Sequence, residues 1–329
     1  MRLLILLCAI LLAGPATAQN DRPLRPVHTY SIVAVDSATG EIGAAVQSHW
    51  FSVGSIVTWA EPGVGAVATQ SFVRPAYGPE GLELMRSGVS APEALATLLR
   101  ADPDSQVRQI GMIDAAGHPA AHTGSRNIPA AGNHVGRWYS VQANLMRSDA
   151  VWPAMAAAFE TTEGDLAERM MVALEAAEAA GGDIRGKQSA ALIVVSGDRA
   201  APPWEKLFDL RVEDSPDPLG ILRDHLTVAR AYRAATEGDN YLTVGDVDSA
   251  LASYAAAAKY LPDGATNGEL VYWQAVTLLD LGRVDESIPL FRRAFEQDRS
   301  WIELLWRLPK VGLLGADSST IASVVNRAQ

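Results

Sequence analysis

The sequence predicts an α+β chain in two parts: two β-sheets face to face with helices outside, then an all-helical region. Three observations carry this. Between Thr29 and Pro218, runs with strand periodicity alternate with runs of helical periodicity. Their order suits stacked layers around a shared core. Beyond Leu219 only helical periodicity remains, and it repeats itself. A chain of 329 residues has room for about two such domains.

The first eighteen residues, MRLLILLCAILLAGPATA, combine a basic Arg2, an apolar run from Leu3 to Ala13 and small residues Ala16 and Ala18. This is the pattern of a cleaved secretory signal, so export to the periplasm or the extracellular space is expected. The run is too short to span a bilayer, and no later segment is long and uncharged enough to do so. The single cysteine, Cys8, lies inside the signal, which excludes disulfides, thiolate metal sites and a cysteine nucleophile from the exported part. Residues 19–28, QNDRPLRPVH, are polar and proline-bearing, and read as a loosely ordered arm.

Thr29 opens the ordered part. TYSIVAV and EIGAAVQS read as a hairpin, with Asp36 and Gly40 supplying its turn. A third strand follows in GVGAVATQ. SAPEALATLLRAD reads as a helix, with Ser90 as N-cap and Glu93 completing a capping box. QIGMID and HPAAHTG form a hairpin across Ala115 to Gly117, and WYSVQANLM supplies another strand. AVWPAMAAAFETT and GDLAERMMVALEAAEAAGG are helical, the second stopped by Gly181 and Gly182. SAALIVVS and LFDLRVED complete this part, and SPDPLG marks the boundary. Within residues 219–329, VGDVDSALASYAAAAKY repeats as LGRVDESIPLFRRAFEQ at a spacing of 37 residues, Gly245 to Gly282. Tyr254 aligns with Phe291 and Ala257 with Ala294. These positions resemble tetratricopeptide repeats, and imply a short module for a protein partner.

A formal charge of -11 and a pI near 5.0 argue against binding nucleic acid or an anionic membrane through net electrostatics. Strong motifs for phosphate, dinucleotide, zinc or a serine elbow are missing from the sequence. Of the six histidines, none is paired at ligand spacing on a predicted helix. His49, His122 and His134 are the set from which a metal site would have to be built, and no metal or cofactor is expected. The richest polar stretch is AGGDIRGKQSAALIVV. Asp183, Arg185 and Gln188 crowd a glycine-rich loop ahead of a buried strand, where an arginine can clamp a carboxylate and Asp183 can hold that arginine or a substrate amine. Equally, these charges can simply pair with each other around a helix end. Asn144, an amide near the end of the strand WYSVQANLM, is a candidate oxyanion donor or a structural hydrogen bonder. His49 and Glu61, beside Trp50, Phe51 and Trp59, are candidates to wall a substrate pocket.

TYSIVAVD, GAAVQSHWFSVGS, GVGAVATQSFV, YGPEGLELMRSG, RQIGMID, HTG, GGDIRGKQSAALIVV and DLRVEDSPDP stand in the order found in the family catalogued as domain of unknown function 1028, which the chain resembles. The resemblance covers about Thr29 to Pro218. It implies the N-terminal-nucleophile hydrolase superfamily, with its four-layer αββα sandwich. It also gives Thr29 a role as nucleophile, whose own freed α-amine acts as base. An unperturbed α-amine titrates at about 7.7–8.0, suited to that task near neutrality. Such chemistry requires cleavage of the bond between His28 and Thr29, because an internal amide nitrogen is no base. Ser31 lies on the same strand face but has no amine. The implied substrate is a small amide or peptide. A non-catalytic binding or scaffold protein on the same fold is the alternative.

Overall fold

A computed structural model describes residues 26–329 of the chain. The expected signal, 1–18, and residues 19–25 of the expected arm lie outside the described residues.

The described chain is mixed α+β, with two antiparallel sheets and about ten helices. The first hairpin is β1 (Thr29–Val35) and β2 (Ile42–Ser48), seven residues each and wholly buried. β3 (Thr58–Glu61) and β4 (Gly65–Ser71) form the next, followed by α1 (Tyr77–Arg86) and α2 (Ala91–Ala101). The capping box of Ser90 and Glu93 starts α2 as the sequence indicates. β5 (Arg108–Asp114), β6 (Pro119–Thr123), β7 (Gly132–Gly136) and β8 (Tyr139–Ala143) run in two more hairpins. α3 (Val151–Thr161) and α4 (Leu166–Ala179) come next, then β9 (Ser189–Val195) and β10 (Phe208–Val212).

One sheet has the order β10-β9-β2-β1-β8-β7 and the other β3-β4-β5-β6. Strand alternation explains how the sheets are covered. Tyr30, Ile32 and Ala34 of β1 pack with α3 and α4 on the outer face of the larger sheet. Val33 and Val35, with Ala44 and Val46 of β2, meet Ala66, Ala68 and Ile113 of the smaller sheet. Val67, Ile110 and Met112 face α1 and α2. β3, β7 and α1 escape the sequence reading. β3 and β7 are short and only part-buried, so neither shows a full period of apolar residues. The glycines and proline of YGPEGLELMR hide a helix whose Gly81 packs against Met112.

The helical part consists of α5 (Pro218–Thr243), α6 (Val247–Tyr260), α7 (Glu269–Asp280), α8 (Val284–Gln297), α9 (Ser300–Arg307) and α10 (Ser318–Ala328). α5 pairs with α6 and α7 with α8. Gly245 and Gly282 both have left-handed φ, at 80° and 74°, where the chain turns into α6 and α8. Tyr254 and Phe291 are both buried, as are Ala257 and Ala294. The boundary at Pro218 is less clean than the proline cluster suggests. Leu219, Leu222 and Leu226 of α5 lie in the core cluster under β9, β10 and α4.

The arm also ends earlier than His28. Val27 and His28 are buried, Val27 by an antiparallel bridge to Ser71 and His28 against Asn144. These two residues are tied into the sheets because Val27 has an apolar slot and two backbone partners waiting for it.

Candidate active site around Thr29

The register of the first hairpin sets the site. Two seven-residue arms place Ser48 directly opposite Thr29, while β8 ends so that Asn144 follows Ala143, the partner of Tyr30. Thr29 is fully buried, and its hydroxyl donates to the Val27 carbonyl at 2.9 Å. The carbonyl oxygen of His28, the residue joined to the Thr29 nitrogen, accepts two hydrogen bonds. Ser48 Oγ donates at 2.5 Å and Arg185 Nη2 at 2.8 Å. A hydroxyl and a guanidinium aimed at one carbonyl oxygen form a donor pair of the kind that stabilises charge developing there.

Asp183 holds that guanidinium in place. Its carboxylate is fully buried and accepts Arg185 Nη2 at 2.6 Å, Arg185 Nε at 3.0 Å, the Arg185 backbone N–H at 2.9 Å and the His49 backbone N–H at 3.3 Å. The sequence places Asp183 and Arg185 as substrate anchors. In the structure Asp183 has its lone pairs spent on the chain itself, and Arg185 alone reaches forward. The left-handed glycines Gly181, Gly182 and Gly186 let the loop fold this tightly after α4.

Asn144 is placed differently from the oxyanion donor the sequence suggests. Its Nδ2 donates to Gln109 Oε1 at 2.7 Å and more weakly to the Thr29 carbonyl at 3.4 Å, and its Oδ1 takes the His28 ring at 2.6 Å. No side-chain hydrogen is left for the His28 carbonyl. Ser48, which the sequence reading missed, donates there instead, and the pairing of two seven-residue strands puts it opposite Thr29. The remaining candidates fall away from Thr29. His49 sits exposed at the rim, its backbone on Asp183. Gln188 sends its amide outward to Asp214. Glu61 is ion-paired with Arg86 at the Gly65 end of β4, while Thr29 lies by the Ser71 end, roughly 20 Å along the strand. His122 Nε2 donates to the Ser105 carbonyl at 2.8 Å, and His134 packs near Tyr139, so the three histidines do not converge. Among the described residues, no group of three or more acidic, histidine or cysteine side chains is placed to hold a metal ion.

Behind Thr29 the space between the sheets turns polar. Ser31 donates to Gln70, Gln142 donates to Ser31, and Gln70 and Asn144 both donate to Gln109 Oε1. Gln109 Nε2 in turn reaches Thr123 and the Ala143 carbonyl. The serine, the three glutamines and Asn144 are all buried. Ser31 is thus locked as a structural hydroxyl. A satisfied buried network is rigid, because any rotation strands a polar group in low dielectric. Burial also lowers the pKa of His28, with the Asn144 hydrogen bond opposing and Arg185 adding to the fall, so its ring is held neutral.

The family model described as a family of unknown function (DUF1028) matches residues 29–222. The chain belongs to this family. The DUF1028 match begins on Thr29 and ends inside α5, four residues past the proline boundary read from the sequence. Among solved structures, protein SPO2555 from Silicibacter pomeroyi, also assigned to DUF1028, is similar at 31% identity and a TM-score of 0.55. That likeness covers 61% of this chain and 86% of the other. No curated protein matches the chain.

Proposed function

We propose that the chain is an exported amidohydrolase of the N-terminal-nucleophile type, acting on a small amide or peptide once the bond between His28 and Thr29 is cut. The observation that carries this is the His28 carbonyl, gripped by Ser48 Oγ and Arg185 Nη2 beside the Thr29 hydroxyl. In the cut, Thr29 Oγ adds to the His28 carbonyl carbon and the two donors hold the oxyanion. The bond from that carbon to the Thr29 nitrogen then breaks as the hydroxyl proton passes to the nitrogen, giving an ester on Thr29 Oγ. Water hydrolyses that ester, releasing the His28 carboxylate and a threonine with a free α-amine. In later turnovers the amine takes the hydroxyl proton and returns it to the leaving amine.

The order of packed clusters supports reading residues 29–222 as a four-layer αββα sandwich: α1 and α2, the smaller sheet, the larger sheet, then α3 and α4. A family match that starts on Thr29 agrees with that residue as the working N-terminus. The test is intact mass of the exported protein, which should begin at Thr29. Ser48→Ala should slow the cut by about 100-fold, the typical worth of one oxyanion donor, and Thr29→Val should abolish it. Active protein beginning at Gln19 would remove the mechanism.

A second reading, a binding or scaffold protein, is favoured by a cleft in the helical part. Tyr232, Asp239, Tyr254, Glu269 and Trp273 line about 190 Å³ between α5, α6 and α7, which supports a tetratricopeptide-like role for residues 219–329 in holding a protein partner. On that reading Thr29→Val changes nothing, and substitutions in the cleft alone abolish partner binding.

A further inference from the structure

Val27 and His28 occupy a trench that is built to hold a peptide. Val27 exchanges two backbone hydrogen bonds with Ser71, N–H to Ser71 O at 2.6 Å and O from Ser71 N–H at 2.8 Å. That is strand addition at the end of β4, a mode that reads main chain irrespective of side chain. Ser71 itself is held at φ 69°, a conformation uncommon for a residue with a side chain, and such strain collects at ligand-holding sites. The Val27 side chain fills an apolar slot in the inter-sheet cluster with Val53 and Val57. The His28 ring gives Nδ1–H to Asn144 Oδ1 at 2.6 Å and meets the Phe72 ring edge-on at 6.2 Å. Its Nε2, and the Ser71 hydroxyl beside the bridge, are buried without partners among the described residues.

The chemistry identifies what else belongs there. On the reading of Thr29 as nucleophile, the ester made in the cut and the acyl-enzyme made from a substrate are the same species, an acyl group on Thr29 Oγ. The acyl part therefore follows one path in both. We propose that the trench now filled by Val27 and His28 is the acyl-side substrate groove, taking an extended peptide with an apolar β-branched residue followed by a residue whose side-chain N–H reaches Asn144, histidine above all. Asn144 Oδ1 is fixed as an acceptor because Nδ2 is committed to Gln109, whose own Nε2 is committed to Thr123 and Ala143. A carboxylate in the histidine position brings like charge to that oxygen with no hydrogen to offer, so the groove rejects it.

The full chain tests this with residues 24–28 replaced by four aspartates and a lysine, which enteropeptidase cuts directly before Thr29 in the folded protein. The released arm does not fit, and the emptied groove is titrated with fluorescein-labelled Arg-Pro-Val-His acid and Arg-Pro-Val-Asp acid. Fluorescence anisotropy should show the histidine peptide binding at least about tenfold more tightly, the worth of one buried hydrogen bond. Equal binding, or none, overturns the groove. Binding with that preference but no hydrolysis of Val-His anilide keeps the groove and removes Thr29 as nucleophile. Hydrolysis that does not distinguish Val-His from Val-Asp anilide keeps Thr29 and overturns the groove. Should the replaced chain fail to fold, hydrogen exchange in the uncut Thr29→Val chain decides. Adding His28→Asp should release the Val27 and Ser71 amides, and His28→Asn should keep them protected; equal exchange overturns the groove.

Discussion

Asp183 is a carboxylate with no exposed side-chain surface, an arrangement that costs several kcal/mol in desolvation unless its oxygens are fully engaged. Four N–H donors meet that cost, and what they return is a guanidinium aimed at one carbonyl. The fold changes the proton affinity of His28. Its ordinary pKa is near 6.5, burial is the largest influence and lowers it, Arg185 lowers it further, and Asn144 and Asp183 oppose. An imidazole whose folded pKa is depressed takes up its proton more readily when unfolded. The unfolded chain therefore binds more protons between the folded pKa and 6.5, and stability is lost as pH falls through that window. Urea midpoints of the uncut chain should be flat above about pH 7 and decline below about 6.5. The decline should shrink in His28→Asn, and an identical decline in that variant would remove His28 as its source.

At the scale of elements, the β1–β2 hairpin does most to make the site, and it was legible. Equal arms and the turn at Asp36 and Gly40 set its register, and register decides that Ser48 faces Thr29. The loop of Asp183 and Arg185 was legible as polar and glycine-rich, but not its target, since the His28 carbonyl is 157 positions away in sequence. Asn144 was legible as an amide needing partners. Which partners it takes is decided by the facing sheet, whose Gln70 and Gln109 looked like ordinary strand residues. That facing depends on close approach at Gly111, where an added Cβ would lie 2.3 Å from Gln142 Oε1. Gly111→Ala should destabilise the chain by about 1–3 kcal/mol by overpacking. Because Gln142 bonds Ser31 two residues from Thr29, the same change should, on the proposed reading of Thr29, slow cleavage before it. Denaturant midpoints and intact mass over time measure the two effects, and unchanged cleavage in a destabilised chain would uncouple the network from the site.

Over the whole molecule, α5 joins the two parts without a linker. Its 26 residues begin in the core beneath β9 and β10 and end against α6, and Arg223 and Arg230 tie it to Glu168, Glu175 and Asp165 around α4. The proline cluster at Pro216 and Pro218 marks where the helix starts, and a helix start looks like a domain boundary when the helix carries one apolar stripe into each part. The stripe for the sheets is Leu219, Leu222 and Leu226, all buried. Ending the chain at Pro218 strips those three leucines from the core, at about 1.5–3 kcal/mol each, against a total stability of about 5–15 kcal/mol for an ordinary domain. Ending it after Thr243 keeps them and removes only α6 to α10. The shorter chain should therefore express without a cooperative thermal transition, whereas the longer one should melt cooperatively and, on the proposed reading of Thr29, be cut before it. Circular dichroism melts and intact mass of the two truncations decide this. A cooperative melt from the chain ending at Pro218 would return the boundary to the proline cluster and make α5 a part of the helical module alone.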